Sequence, residues 1–188
     1  MSRSFKIFIV GVLIVLASLV PYFLAQSETH GRTVIRAAID IGSGSTKLRV
    51  AEVDLERNTV VKMLVNEQFT VMYMRDLEKP PKGEFSEAIM AEGVDAIARA
   101  KKLAMEHGAE KVIALATAAF RKASNGEELV QRIQRETGVP VFIVDQALEG
   151  ELAFKAALTQ IYIPPQNLVV FDIGGGSMQL TSVGEDGN

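Results

Sequence analysis

Two periodicities divide the chain. Residues 34–41 form an apolar run of strand type, 47–53 alternate with the period of two of a half-buried strand, and 59–68 follow after a turn at Asn58. The period then lengthens. Residues 84–107 carry Ile89, Val94, Ile97, Leu103 and Met105 at roughly helical spacing and end at Gly108, where a helix C-cap is expected. The stretch between, 76–83, contains Pro80 and Pro81 and reads as a loop. Residues 111–116 are a short buried strand. Ser124, with Glu127 three positions on, opens a second helix as a capping box, and that helix ends near Gly138. A strand over 141–144 and a helix over 148–159 follow. After the break at Pro164 and Pro165, strands at 168–172 and 179–183 make a further pair. The order βββ-α-β-α-β-α, then ββ, predicts a mixed sheet with helices on its faces.

One pattern occurs twice. Asp40-Ile41-Gly42-Ser43-Gly44-Ser45-Thr46-Lys47-Leu48 and Asp172-Ile173-Gly174-Gly175-Gly176-Ser177-Met178-Gln179-Leu180 both read D-I-G-x-G-S-x-x-L, and each lies between two strand-type runs. A glycine turn lets backbone N–H groups converge on an anion, because no Cβ blocks the approach. Gly42, Ser43, Gly44 and Ser45 in the first copy, and Gly174, Gly175, Gly176 and Ser177 in the second, are therefore candidate phosphate-binding residues. Asp40 and Asp172, at the strand ends, suit a divalent cation that offsets phosphate charge. Arg121, after the fourth strand, has the fork to grip a phosphate, with Lys122 beside it as a point charge. Glu149 opens the last helix. A carboxylate there can deprotonate a water, although on the residues alone a surface Glu favoured by the helix dipole is the preferred, ordinary explanation.

The 188 residues are 48% apolar with a net charge of −3, enough for one domain with a proper core and unsuited to general nucleic-acid binding. Cysteine is absent, which excludes disulfides and thiolate chemistry. Arg3 and Lys6 precede an uncharged run from 7 to 25. That reads as a transmembrane anchor or a cleaved signal peptide over 1–26, with a buried soluble helix as a third alternative. On either of the first two, 27–33 is a linker and the soluble domain is exported, with the bacterial periplasm as its expected compartment.

Four stretches together resemble the exopolyphosphatase/guanosine pentaphosphate phosphohydrolase family: residues 37–45 (AAIDIGSGS), 116–125 (ATAAFRKASN), 148–154 (LEGELAF) and 170–177 (VFDIGGGS), in order and at sensible spacing. The resemblance implies the actin/Hsp70/sugar-kinase architecture. Residues 34–167 would form its ribonuclease-H-like first lobe, and 168–188 the opening hairpin of a second. It further implies release of a terminal phosphate from polyphosphate or a phosphorylated nucleotide, with Mg2+. Glu149 would be the catalytic base, Arg121 and the glycine turns the phosphate grip, and Asp40 and Asp172 the metal carboxylates. An exported domain would favour polyphosphate over guanosine pentaphosphate. The family commonly has Asn where Gly44 stands and Glu where Gln179 stands. A truncated or non-catalytic phosphate-binding member is thus the alternative, completed by a second copy or by the rest of the second lobe.

Overall fold

The computed structural model describes residues 33–159, 161 and 163–184. Five strands form one mixed sheet in the order β3-β2-β1-β4-β5: β1 Thr33–Ile41, β2 Ser45–Asp54, β3 Thr59–Thr70, β4 Lys111–Ala116 and β5 Val141–Ile143. β1, β2 and β3 are an antiparallel meander, and β4 and β5 add in parallel beside β1. Asn58 makes the β2–β3 turn with φ 51, a left-handed conformation that Asn tolerates. The remaining strands, β6 Val169–Ile173 and β7 Met178–Ser182, pair only with each other.

Five helices interleave: α1 Tyr73–Leu77, α2 Glu87–Glu106, α3 Ala118–Lys122, α4 Gly126–Thr137 and α5 Gln146–Leu158. α2 and α4 bury Ile89, Ile97, Ala100, Leu129 and Ile133 in one core with Ile39, Ile41, Leu48, Val50 and Ala114 of the sheet. α5 packs instead against the β6–β7 hairpin. A cavity of about 660 Å³ opens at Ala38, Arg49, Val53, Met63 and Ile113, away from the glycine turns. It is apolar and takes no part in the site.

Several sequence expectations need correction. The stretch 76–83 is not all loop, because α1 runs into it. α3 falls where no element was expected. The capping box at Ser124 does not form: Asn125 is the N-cap of α4 and makes no cap bond with its side chain. That side chain is engaged elsewhere, accepting from Phe85 N–H at 2.8 Å and donating to the Phe85 carbonyl at 2.9 Å. Ser124 Oγ meets the Gly83 carbonyl at 3.2 Å. α5 starts two residues early, capped by Asp145, which accepts from Leu148 N–H at 2.8 Å. Gly108 follows the His107 C-cap with φ 80, as its position after the periodic run suggests.

The placement in a membrane is also corrected. The expected anchor, signal peptide or hydrophobic helix over 1–26 lies outside the described residues. Among the described residues no helix is long and apolar enough to cross a membrane. The longest, α2, is amphipathic: Glu92, Asp95, Arg99 and Lys102 interrupt it while its other face meets the sheet. The exported, membrane-anchored location is therefore withdrawn, together with its periplasmic alternative. So is the preference for polyphosphate over guanosine pentaphosphate that rested on it.

Behind the site, Tyr73, Phe85 and Phe120 pack edge to face in a closed trio, with ring centroids 5.1–5.7 Å apart. They join α1, the approach to α2, and α3. Burial pushes the Tyr73 hydroxyl up to about 12, with the Thr46 hydroxyl beside it acting in the opposite direction.

Asp76 fixes α1 to the start of α2. Its carboxylate accepts from Ser86 N–H at 2.7 Å, Ser86 Oγ at 3.0 Å and Lys79 Nζ at 2.9 Å, and Ser86 is itself the N-cap of α2. Burial pushes the Asp76 carboxyl up, but these hydrogen bonds and the Lys79 charge outweigh it and leave the pKa below the ordinary value. A lowered carboxyl pKa stabilises the fold above the unfolded value of about 3.9, and that stability goes as pH falls through the folded pKa. Asp76→Asn is expected to cost about 1–3 kcal/mol at neutral pH. It should also flatten the fall in thermal midpoint below about pH 4. Circular dichroism melts of both proteins across pH 2–7 check this; parallel curves would remove Asp76 from the acid transition.

Candidate active site

The repeated sequence produces a repeated turn. Gly42 N–H donates to the Ser45 carbonyl at 2.9 Å, and Gly174 N–H donates to the Ser177 carbonyl at 3.0 Å. The first turn joins β1 to β2 and the second joins β6 to β7, so both sit at hairpin tips. They pack against each other. A Cβ on Gly175 would lie 3.4 Å from Ser43 Cβ, and one on Gly176 would collide with Ser43 Oγ and Met74 Cε. Only a residue without a side chain lets the second turn come this close.

Neighbouring elements hold both turns. Met74 N–H of α1 donates to the Ser43 carbonyl at 2.9 Å. Lys122 Nζ of α3 reaches the Gly176 carbonyl at 3.2 Å. Sequence reasoning saw Lys122 only as a charge near phosphate; its position in the basic pair after β4 was the available signal. Ser43 is buried, so its hydroxyl faces the second turn. Ser45 and Ser177 contribute the carbonyls that close their own turns. Gly44 lies beside the Met72 sulfur, outside the contact between the turns.

Arg121 and Glu149 meet. Arg121 Nη1 donates to Glu149 Oε2 at 2.7 Å and to the Val144 carbonyl at 2.7 Å, and both side chains are mostly buried. These two bonds use Nη1 alone, so the remaining guanidinium donors can fork onto an anion while Glu149 stays held. The Glu149 carboxylate lies in the first turn of α5, whose dipole favours it.

Asp40 sits near the end of β1, with Lys47 Nζ at 3.7 Å. Desolvation raises its pKa; the nearby Asp172 carboxylate adds to the rise, and Lys47 opposes it. Asp172 thus lies close enough across the turns to act on Asp40. Among the described residues no group of three or more His, Asp or Glu side chains is placed to hold a metal ion. Two carboxylates beside a pair of glycine turns still fit Mg2+, which commonly takes one or two carboxylates and completes its octahedron with substrate oxygens and water.

Gly150 was missed. A Cβ there would stand 2.6 Å from Thr181 Oγ1 and 3.5 Å from Gln179 Cβ, so its absence lets β7 lie against α5. A glycine inside a helical pattern costs about 1 kcal/mol, which is the signal that a close approach needs it.

The profile of the Ppx/GppA phosphatase family matches residues 50–187. The chain belongs to the Ppx/GppA phosphatase family. The match covers the second glycine turn, Arg121 and Glu149; the first turn lies just before it. Exopolyphosphatase 1 of Mycobacterium leprae is 26% identical over 144 residues, 77% of this chain and 41% of that protein. The crystal structure of the Aquifex aeolicus Ppx/GppA family member superposes with a TM-score of 0.68 at 29% identity, covering 78% of this chain and 46% of that one. An exopolyphosphatase from Cytophaga hutchinsonii gives 0.63 at 27% identity, covering 81% and 51%. The mixed five-stranded sheet is thus the actin-like fold of Ppx/GppA proteins. The chain spans about half the length of these solved relatives or less, a coverage that fits the N-terminal lobe.

Proposed function

We propose that this Ppx/GppA chain is a phosphoanhydride hydrolase, releasing the terminal phosphate of inorganic polyphosphate or of a polyphosphorylated guanosine nucleotide. The observation that carries the reading is the pair of glycine turns, closed by the same bond and packed face to face beside the Arg121–Glu149 pair. In this reading the turns' N–H groups and Arg121 hold the phosphate chain. Glu149 takes a proton from a water whose oxygen bonds to the terminal phosphorus. The bridging oxygen leaves with the electron pair of the broken P–O bond and stays on the shortened chain. Mg2+ held by Asp40 and Asp172 would supply charge neutralisation at the phosphates. The remaining work is positioning, as phosphoryl transfer requires.

A neutral Gln179 behind the second turn favours a second reading as a phosphate-binding protein without turnover. Phosphate release from tripolyphosphate, long-chain polyphosphate and guanosine tetra- and pentaphosphate separates the two, with Mg2+ and with chelator. The hydrolase reading predicts Mg2+-dependent orthophosphate from at least one of them. Tight binding with no release would leave the binding reading, and neither binding nor release would overturn both.

A further inference from the structure

The two faces of the five-stranded sheet are unlike. Ile39, Ile41, Leu48, Val50 and Ala114 share a core with α2 and α4, and the residues that alternate with them belong to the opposite face. On that face Arg36 stands between Ala51 of β2 and Lys111 of β4, and Ala38 stands between Arg49 and Ile113. Each of the three central strands therefore presents one cation and one apolar residue. Val53, Val60 and Met63 extend the apolar part, and the cavity of about 660 Å³ lies among these side chains. Met63, Val60 and Ile113 are each more than two-fifths exposed there. A sheet with parallel strands ordinarily buries both of its faces.

The charges on this face are not balanced. Arg36 is engaged by Glu110 at 3.0 Å and Lys47 by Asp40 at 3.7 Å. Arg49 and Lys111 are exposed and form no salt bridge among the described residues. The floor between them offers a polar ligand nothing, because Ala38, Ala51, Val53 and Ile113 carry no side-chain donor or acceptor. A small inorganic anion would gain only exposed ionic contacts, which are worth little in water. A ligand with a negative head and an apolar tail uses both the cations and the floor. The cavity also falls within the span of roughly 300–1,000 Å³ usual for small-molecule sites.

We propose that this cavity binds a single-chain anionic amphiphile of the fatty-carboxylate class, with its carboxylate held by Arg49 and Lys111 and its tail on the apolar floor. The site is separate from the glycine turns and does not depend on the phosphate-site reading. Head and tail contribute separately, and each can be measured alone. Every methylene added to the tail should tighten binding about fourfold until the cavity is full. The two cations should strengthen binding of a charged head and leave a neutral one unaffected.

Isothermal titration calorimetry of the full chain with octanoate, decanoate and neutral decanol, each kept monomeric, tests this. Decanoate should bind roughly fifteenfold more tightly than octanoate, the effect of two methylenes, and more tightly than decanol. Arg49→Gln combined with Lys111→Gln should weaken decanoate roughly tenfold and leave decanol unchanged. Ala38→Phe fills the floor and should abolish binding of both while thermal melts show the fold retained; the charge variant stands as the test should Ala38→Phe not fold. Equal affinity for decanol and decanoate would overturn the anionic head. Unchanged decanoate binding by a folded Ala38→Phe would overturn the site by placing the tail on another apolar surface, such as Phe171 and Leu180 of the β6–β7 hairpin. No uptake of monomeric decanoate would overturn it as well, and co-sedimentation with phosphatidylglycerol vesicles in that case would assign the face to a lipid surface instead.

Discussion

Glu149→Gln is expected to lower Mg2+-dependent phosphate release by about 10²–10⁴-fold, the usual contribution of a positioned general base. The substitution is nearly isosteric. The Gln side-chain carbonyl can still accept from Arg121, and Arg121 keeps its bond to the Val144 carbonyl. The thermal midpoint should therefore change little, since the exchange weakens a pair without stranding either member. Substrate affinity should hold or improve, because one negative charge near the phosphates is gone. Rate loss with fold and binding retained is the pattern that separates a base from a structural acid. Arg121→Lys provides the contrast. A lysine lacks the fork, so affinity and rate should fall together. Equal turnover by Glu149→Gln and the wild type would return Glu149 to the role of a helix-dipole carboxylate.

Gly126→Ala is expected to destabilise the fold by about 1–3 kcal/mol, the ordinary cost of forcing atoms into a packed interior. Two effects compete. Alanine is the better helix former by at most about 1 kcal/mol, and Gly126 is the first residue of α4. Against that, the Phe120 carbonyl carbon lies 3.3 Å from where the new Cβ would be, and the Phe120 carbonyl oxygen is closer still. Both are backbone atoms and cannot swing aside. The junction is pinned on its other side by the two bonds from Asn125 to Phe85. Relief must come from moving α3, and α3 carries Arg121. The variant should melt roughly 2–4 °C lower per kcal/mol lost. Its kcat should also drop, because Arg121 no longer meets Glu149 squarely. Melting temperature and steady-state rates on one preparation test both. A midpoint above the wild type would show that helix propensity outweighs the contact.

The sequence foretold much of this because the most telling features are local. The strands announce themselves through alternation, and the two glycine turns through a nine-residue pattern that needs no long-range information. The boundary errors have a common origin. Ser124 and Glu127 make a valid capping box on paper, but Asn125 is claimed by Phe85, 40 positions away. α3 is five residues long and held by its burial around Phe120, so no periodic signal could mark it. In the site, Glu149 and Arg121 were each ambiguous alone. Their ion pair spans 28 positions and becomes visible only when the fold brings α3 and α5 together. Gln179 stood out in the sequence as a departure from a family pattern. That its amide is buried, with no hydrogen-bond partner among the described residues, is a property of the fold.

The β6–β7 hairpin has one further consequence, which concerns mutational tolerance. Asp172, Gln179 and Thr181 project toward α5, while Val169, Phe171, Ile173, Met178 and Leu180 project away and are each more than half exposed. The strand period of two thus writes two independent alphabets into ten residues. Changes in the inward alphabet alter the face packed against α5. Changes in the outward one alter only what the ribbon can lie against. Substitutions along this ribbon should therefore sort by parity, with neighbouring positions behaving as unlike residues and alternate positions as like ones.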